Sequence, residues 1–361
     1  MQFVNLNRQY QKHQQSIQQK ISDVLSSGQY ILGPQVEELE NTLSHYVDSS
    51  HAIGVASGTD ALLLSLMALD IRPGDEVITS SFTFVATGEV ILRLGAIPIF
   101  VDIDPHSYNM NPILVEQAIT PKTKVILAVS LFGEATYLTA INQVAQKHQL
   151  PVIEDGCQSF GALCSGSRSG SLTTLGCTSF YPSKPLGCYG DGGMIFTSSQ
   201  PLAQKIKHLR VHGASTGNTQ PGLNSRLDTI QAAILLAKWT SFEQELILRK
   251  KAAEFYIEEL SHLEAVKTPS LSQLPTHSFA QFTIECLKRD QLQNYLKARG
   301  IPTGVYYRQP LHHQPLFLAT KKQALPMTEE KSKRVLSLPL SPYITRKEQE
   351  DVIKSIGGFF S

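Results

Sequence analysis

Short apolar runs recur along the first half of the chain and predict the strands of a sheet. They lie near residues 52–55, 76–79, 97–101, 124–129 and 151–153. Between them, longer stretches such as 84–94 and 138–148 distribute apolar and polar positions with a helical period. Strands that alternate with helices in this way are typical of a mostly parallel sheet covered by helices. The pattern therefore predicts an α/β fold.

The second half of the chain has a different pattern and predicts a smaller domain. A long helical pattern ends near Leu263, and a break rich in proline and serine follows at 267–277. Beyond this break, strand-like and helix-like segments alternate over short distances. We expect a large domain over residues 1–245, which opens with a helical segment, and a small α+β domain over residues 246–361.

Composition narrows the class of protein. The chain has 361 residues, of which 42% are hydrophobic and 17% are charged, as in an ordinary globular protein. A formal net charge of +1 gives no electrostatic basis for binding nucleic acid or an anionic membrane. No apolar run reaches the length of a transmembrane helix, and the polar N-terminus does not resemble a signal peptide. We therefore expect a cytoplasmic protein.

The cysteines are consistent with a reducing compartment. They are Cys157, Cys164, Cys177, Cys188 and Cys286. Their number is odd and none belongs to a C-x-x-C pair, so the pattern predicts neither a disulfide framework nor a zinc site. Cys157 and Cys188 lie within the motifs described next, where we expect small packing residues.

One lysine stands in a loop whose composition suggests a ligand site. Lys184 follows the run 178–181, which predicts a short strand, and it is flanked by Pro182, Pro185 and several glycines. A lysine amine can form a Schiff base with the aldehyde of pyridoxal phosphate. The alternative is an ordinary surface lysine in a glycine-rich loop.

Asp155 is a candidate partner for the same cofactor. It ends a short apolar run, and ligands of α/β proteins bind beyond the carboxyl ends of the strands. A carboxylate there could pair with a protonated pyridine nitrogen and keep the ring able to accept electrons. Gln158 could hydrogen-bond to a ring oxygen. For Asp155 the alternative is a helix N-cap or a loop acid, and alternation along the strand directs Glu154 to the other side.

Two further motifs could complete a cofactor site. Gly58 and Thr59, at the start of a predicted helix, would offer free backbone N–H groups and the positive end of the helix dipole to a phosphate. Ser179 could add a hydroxyl donor. A simply capped helix is the alternative. Phe84 could stack on the cofactor ring, although a lone phenylalanine is more often part of a core.

Five ordered motifs together resemble the DegT/DnrJ/EryC1/StrS aminotransferases. They are SGTDAL (57–62), SFTFVAT (81–87), EDGCQSFGA (154–162), SFYPSKPLGCYGDGG (179–193) and LNSRLDTIQAAIL (223–235). The resemblance extends over nearly the whole chain. It implies a fold-type I enzyme with pyridoxal 5'-phosphate as cofactor, a sugar nucleotide as substrate and glutamate as amino donor, as in the family. It also implies a homodimer with shared active sites.

The resemblance assigns a role to each residue around the cofactor ring. Lys184 would form the Schiff base and act as general base, and Asp155 would contact the pyridine nitrogen. Gln158 would lie near the ring oxygen, and Phe84 would stack on the ring. Members of the family with histidine in place of the lysine are dehydratases, so Lys184 favours transamination.

The resemblance also implies where the phosphate is bound. Gly58, Thr59 and Ser179 would hold it, together with Asn224 from the partner subunit, because this family builds its site at a dimer interface. The alternative is a monomer in which Asn224 caps its own helix.

Three residues are candidates for substrate binding, and a histidine pair is not. Arg226 could hold a carboxylate or phosphate with two hydrogen bonds, or form an intersubunit salt bridge instead. Tyr306 and Tyr307 could line the substrate site or serve only in packing. His312 and His313 are adjacent, and neighbours on an extended chain point to opposite sides, so we expect no metal.

The expected function is that of a transaminase acting on a keto-sugar nucleotide to form an amino sugar for a surface glycoconjugate. The SKPLGCYGDGG segment (183–193) is similar to that of enzymes that aminate the 3-keto group of a UDP-linked N-acetylated uronic acid. The alternatives are a 4-keto-sugar aminotransferase or a non-sugar pyridoxal-phosphate enzyme on the same scaffold. A non-catalytic regulator is disfavoured because Lys184, Asp155 and Gln158 are all present.

Overall fold

The computed structural model describes residues 1–135, 137–213, 220–320 and 323–361. A seven-stranded sheet of order β1-β9-β8-β5-β4-β2-β3 forms its centre. The strands of the described residues are β1 (His51–Val55), β2 (Glu76–Ser80), β3 (Ile97–Val101), β4 (Thr123–Val129), β5 (Val152–Asp155), β6 (Leu163–Cys164), β7 (Ser167–Arg168), β8 (Leu175–Ser179), β9 (Gly193–Thr197), β10 (Phe282–Glu285) and β11 (Val335–Leu338). In the central sheet β9 is antiparallel to both of its neighbours, and the other paired strands are parallel.

Helices cover both faces of this sheet and continue into the C-terminal part. The α-helices of the described residues are α1 (Leu6–Ser27), α2 (Pro34–Val47), α3 (Gly58–Ala68), α4 (Val85–Arg93), α5 (Pro112–Ala118), α6 (Leu138–Lys147), α7 (Gln200–Leu209), α8 (Thr229–Trp239), α9 (Phe242–Leu260), α10 (Arg289–Ala298), α11 (Pro326–Arg334) and α12 (Arg346–Phe360). Short 3₁₀ turns occupy Leu271–Gln273, Leu311–His313 and Pro315–Phe317. Nowhere in the described ranges is a helix both long and apolar enough to cross a membrane.

The strands are apolar on both faces because both faces are buried. On one face, side chains such as Leu127 and Ile153 pack against α3, α4 and α7. On the other face, Ile126 and Val152 pack against α5 and α6. Since a side chain changes face at every residue along a strand, neighbouring positions of β4 and β5 enter different cores. The α/β prediction is confirmed.

The C-terminal part has a core of its own. Tyr256 of α9, Phe282 of β10 and Leu292 of α10 belong to this core, and β11 and α12 complete it. The long helical pattern that ends near Leu263 is two helices, since α8 ends before Thr240 and α9 begins after Ser241. The predicted domain boundary at residue 245 falls within α9 and stays a prediction.

Candidate active site

A cavity of about 520 Å³ opens at the carboxyl ends of β1, β5 and β8. Its walls include Gly58, Thr59, Phe84, Asp155, Gln158, Ser179, Lys184, Tyr306 and Tyr307. These are nine of the residues that the sequence singled out, and they come from segments far apart in the chain. Those that follow strands of the central sheet come together because the carboxyl ends of parallel strands meet at one edge. Tyr306 and Tyr307 come from the segment between α10 and α11.

The N-terminus of α3 forms one end of the cavity. Ser57 caps the helix by accepting a hydrogen bond from the Asp60 backbone N–H at 3.1 Å. Backbone N–H groups of a first helical turn have no partner within the helix, and here they carry the positive end of the helix dipole. A Cβ on Gly58 would lie 2.7 Å from the Ser179 Cβ and 2.9 Å from the Cys157 Sγ, so only glycine fits. This end of the cavity therefore fits a phosphate.

Lys184 stands half-buried in the loop after β8. Strand β8 ends at Ser179, two residues earlier than the sequence pattern indicates, so Phe180 and Tyr181 already belong to this loop. Within the described residues the Lys184 ammonium has no hydrogen-bond or salt-bridge partner. Burial lowers the pKa of Lys184, opposed by the nearby Cys157 and Asp155. A lowered pKa favours the neutral amine, which is the form that attacks an aldehyde.

Asp155 presents a buried carboxylate to the cavity. Its side chain is 6% exposed, and it accepts hydrogen bonds from the Thr87 hydroxyl at 2.7 Å and the Cys157 backbone N–H at 3.3 Å. No cation of the described residues lies within salt-bridge distance of it. A buried carboxylate normally has a positively charged partner, and a protonated pyridine nitrogen would supply one. Asp155 ends β5 and does not cap a helix, whereas its hydrogen bond from the Cys157 N–H is one that a loop acid also makes, so its role at the cofactor stays a prediction.

Glu154 faces away from the cavity, as alternation along β5 predicts. Its carboxylate accepts hydrogen bonds from the Ser130 hydroxyl at 2.7 Å, the Ser169 hydroxyl at 2.6 Å and the Gly170 N–H at 2.7 Å. Burial raises the pKa of Glu154, and these three donors oppose the rise. Glu154 thus links β5 through hydrogen bonds to the segment that follows β4 and to the segment that follows β7.

Gln158 and two aromatic rings form the wall opposite α3. The Gln158 Oε1 accepts from the Phe132 N–H at 2.9 Å, and its Nε2 donates to the Tyr307 hydroxyl at 2.9 Å. Burial raises the pKa of Tyr307, so that its hydroxyl stays protonated. Phe84 is 55% exposed and its ring centroid lies 6.3 Å from that of Tyr307. Phe84 is therefore not a core residue and has a free face for stacking.

Asn224 and Arg226 lie outside the cavity wall of the single chain. Asn224 is exposed and forms an isolated bridge with Val211. It does not cap a helix, because α8 begins at Thr229 with Asp228 as its N-cap. Arg226 is half-buried and has no side-chain partner in the described ranges. Their predicted contacts with a partner subunit stay predictions.

The two adjacent histidines converge, and the expectation that they diverge is wrong. His312 and His313 lie in a 3₁₀ turn with ring centroids 4.0 Å apart. Their Nε2 atoms lie 3.4 Å and 3.9 Å from Glu329 Oε1, so the third ligand that the sequence does not reveal exists. His312 Nδ1 also bonds to the Ser81 hydroxyl at 2.6 Å. The three side chains contact one another, and the expectation that no metal binds here stays a prediction.

Sequence reasoning missed several residues of the cavity. Thr87 orients Asp155, and Thr83, which precedes the N-cap Phe84 of α4, bonds to Thr87 at 3.0 Å. The pair of threonines in the SFTFVAT segment is the signal that could have identified them. Asp191 and Gln281 also line the cavity, and nothing in their local sequence marks them.

Comparison with known proteins places the chain among aminotransferases. The model of the DegT/DnrJ/EryC1/StrS aminotransferase family matches residues 11–357. The UDP-2-acetamido-2-deoxy-3-oxo-D-glucuronate aminotransferase of Pseudomonas aeruginosa is 47% identical over 346 residues, which are 95% of this chain and 96% of that protein. A Pleiotropic regulatory protein of Geobacillus stearothermophilus is 42% identical, with coverage of 99% and 98%. The UDP-N-acetyl-3-dehydro-alpha-D-glucosamine 3-aminotransferase of Acidithiobacillus ferrooxidans is 41% identical, with coverage of 96% and 94%.

Solved structures agree with these matches. A DegT DnrJ EryC1 StrS aminotransferase from Brucella abortus superposes with a TM-score of 0.96 at 41% identity, and each chain is covered completely. A Bacillus subtilis protein with the bound cofactor PMP gives a TM-score of 0.93 at 32% identity, covering 100% of this chain and 85% of that one. The fold is that of fold-type I pyridoxal-phosphate enzymes.

Proposed function

The chain belongs to the DegT/DnrJ/EryC1/StrS aminotransferase family, and from that premise we propose that it aminates C3 of a UDP-linked 2-acetamido-3-oxo uronic acid. It is a pyridoxal-phosphate-dependent aminotransferase. The observation that carries the substrate assignment is the 47% identity, over 95% of the chain, to the Pseudomonas aeruginosa enzyme of that activity. Glutamate, the family's usual donor, is the proposed source of the amino group.

The described residues suggest how the cofactor would be bound. Gly58 and Thr59 at the start of α3, with the Ser179 hydroxyl, would hold the phosphate. Asp155 would pair with the pyridine nitrogen, with its carboxylate oriented by the Thr87 hydroxyl at 2.7 Å. When bound, pyridoxal phosphate supplies an aldehyde that captures amines and a ring that accepts electron density.

Lys184 would provide the acid–base chemistry. Once freed from the cofactor, its Nζ would act as the general base that accepts the proton of the amino donor's α-carbon, and the resulting ammonium would give that proton back as the general acid of the 1,3-proton shift. Burial favours this role because it lowers the pKa of Lys184 towards the working pH. The free face of Phe84 would hold the ring flat beside the lysine.

The charge of the proposed substrate requires cations that one chain does not provide in the cavity. The substrate carries a carboxylate and a diphosphate, and Lys184 is the only lysine or arginine among the described residues of the cavity wall. Asp155 and Asp191 of the same wall are acidic. A second subunit that inserts Arg226 would balance this charge.

The segment around Asn224 is consistent with such a dimer. The buried Ser225 points inward, and its hydroxyl accepts from the Ala56 N–H at 3.2 Å, so its two neighbours point outward on an extended chain. The segment 30–32, which bridges to Asp228, exposes three apolar side chains, Tyr30, Ile31 and Leu32. An exposed apolar patch beside two unpaired polar side chains suits an isologous interface.

A panel of keto-sugar nucleotides tests the substrate assignment. The purified enzyme with pyridoxal phosphate and ¹⁵N-labelled glutamate should transfer the label to the UDP-linked 3-oxo uronic acid, as read by mass spectrometry. The matched substrate is the UDP-linked 3-oxo sugar with an uncharged C6 group, which should react more slowly because it lacks the carboxylate. Lys184→Ala is the control for enzyme-dependent transfer. Label that enters only a 4-keto sugar would reject the proposal.

A further inference from the structure

The loop that carries Lys184 is closed at its base by backbone hydrogen bonds. The Phe180 N–H donates to the Gly192 carbonyl at 2.8 Å, and the Cys188 N–H donates to the Phe180 carbonyl at 2.7 Å. At Gly187 a Cβ would lie 2.5 Å from the Pro182 carbonyl oxygen, so the loop turns back on itself there. These bonds continue the β8–β9 pairing and fix the stem of the loop at the sheet, whereas the part of the loop beyond the stem lies against α8.

Two side chains of α8 hold the far side of this loop. The Gln231 Oε1 accepts a hydrogen bond from the Tyr189 N–H at 2.9 Å. The Lys238 ammonium donates to the Gly187 carbonyl. Residues seven apart lie two turns apart on the same side of a helix, so Gln231 and Lys238 form one row that faces the loop.

Burial of the Lys238 ammonium at this position on α8 is energetically unfavourable. It is 2% exposed, and no carboxylate of the described residues lies within salt-bridge distance of its ammonium. Its other contact is the Tyr189 ring, whose centroid lies 5.2 Å away. Burial lowers the pKa of Lys238 to about 8. A methionine of similar length would fill the space without this desolvation, so packing alone does not explain a lysine.

We propose that Gln231 and Lys238 are positioning residues that hold the 184–190 loop against α8 and so keep the Lys184 amine at the cofactor aldehyde. The proposal rests on the assignment of Lys184 as the cofactor lysine. An amine held in the correct place reacts with a high effective concentration, and a loosened loop loses this advantage. Lys238 does not contribute to the pKa shift of Lys184, whose causes are burial, Cys157 and Asp155. The two residues therefore act on position and not on charge.

The rate at which the cofactor-free protein captures pyridoxal phosphate tests this role. The adduct is followed by its absorbance after rapid mixing, over a range of pH, and is then trapped with borohydride and located by peptide mapping. Lys238→Met removes the donor at nearly constant volume, and Gln231→Leu removes the acceptor at a half-buried position. Both variants should capture the cofactor at least tenfold more slowly with an unchanged pH midpoint.

Two control variants separate positioning from general destabilisation. Gln231→Glu keeps an acceptor for the Tyr189 N–H and should capture at the wild-type rate. Leu292→Ala opens a cavity in the C-terminal core, which includes neither Tyr189 nor the side chains of α8, and should lower thermal stability without slowing capture.

The outcomes are distinguishable. Wild-type capture rates in both Lys238→Met and Gln231→Leu, with the adduct on Lys184, would overturn the positioning role and leave the proposed function intact. An equal slowing in Leu292→Ala, or a shifted pH midpoint in Lys238→Met, would also overturn it. A wild-type adduct on a different lysine would reject both the assignment of Lys184 and the role built on it.

Discussion

Replacing Gly58 with alanine should weaken cofactor binding about 100-fold, or about 2.7 kcal/mol, while leaving the fold in place. The backbone at Gly58 is not in the left-handed region, so alanine can adopt its conformation. The substitution is unfavourable for a steric reason. The new Cβ would lie 2.7 Å from the Ser179 Cβ, and carbon atoms normally approach no closer than roughly 3.5–4.0 Å.

The size of the effect follows from the displacement that this contact requires. Gly58 and Ser179 must separate by about 1 Å to restore an ordinary contact. Both belong to the proposed phosphate site, so one of them leaves its position, and a donor moved by ~1 Å loses its hydrogen bond to the charged phosphate, which costs about 1.5–3 kcal/mol. Stability should change less, because overpacking costs about 1–3 kcal/mol and alanine recovers up to ~1 kcal/mol over glycine in a helix.

Titration with pyridoxal phosphate, followed by fluorescence, measures the binding, and thermal unfolding of the cofactor-free protein measures the stability. Gly357→Ala is the matched control, since Gly357 lies in α12 with nothing within 4 Å of its would-be Cβ. The control should bind the cofactor normally and be slightly more stable. A Gly58→Ala protein with wild-type affinity would show that the start of α3 does not bind the phosphate.

Three further expectations concern the same site. Lys184→Ala should abolish both turnover and the adduct that borohydride traps. In the wild type, the rate of adduct formation should rise with pH to a midpoint below the ordinary lysine pKa, because burial lowers the pKa of Lys184. A midpoint at or above the ordinary lysine pKa would contradict this expectation. Asp155→Asn should bind the cofactor but transaminate slower by orders of magnitude, since a neutral pyridine accepts electrons poorly, and an unchanged rate in single-turnover kinetics would reduce Asp155 to a structural acid. Heterodimers of an inactive Lys184→Ala chain and an inactive Asn224→Ala chain should regain one functional site per dimer, because both defects can fall in the same site. A monomer that is active in sedimentation experiments would exclude the shared site.

The sequence predicts the buried parallel strands well, because a strand covered on both faces is a continuous apolar run. The same pattern cannot place β9. The run in Gly193–Thr197 resembles the others, but its antiparallel position between β1 and β8 depends on segments far apart in the chain. The break between α8 and α9 at Thr240 and Ser241 is equally hidden, since neither glycine nor proline marks it.

Sequence motifs identify the residues that line the cavity, but they do not identify the residues that hold these side chains and loops in position. Gly58, Asp155 and Lys184 each stand at the end of a strand, so their convergence follows from a parallel sheet. The hydrogen bond from Thr87 to Asp155 and the contact of Lys238 with Gly187 join separate elements, and no local pattern encodes them. For the same reason Glu329 could not be recognised as the partner of His312 and His313.

The antiparallel strand β9 also determines when the active site can exist during synthesis of the chain. Gly193 pairs with Val55 on one side and with Ser179 on the other, next to both parts of the proposed phosphate site. In the central sheet of the described residues β1 pairs only with β9. Because β9 comes much later in the chain, β1 leaves the ribosome long before its partner. Pairings between such distant segments form late in folding. A nascent chain that ends before Gly193 lacks the strand that joins β1 to β8, so we expect the cofactor to bind only after β9 has been synthesised and paired.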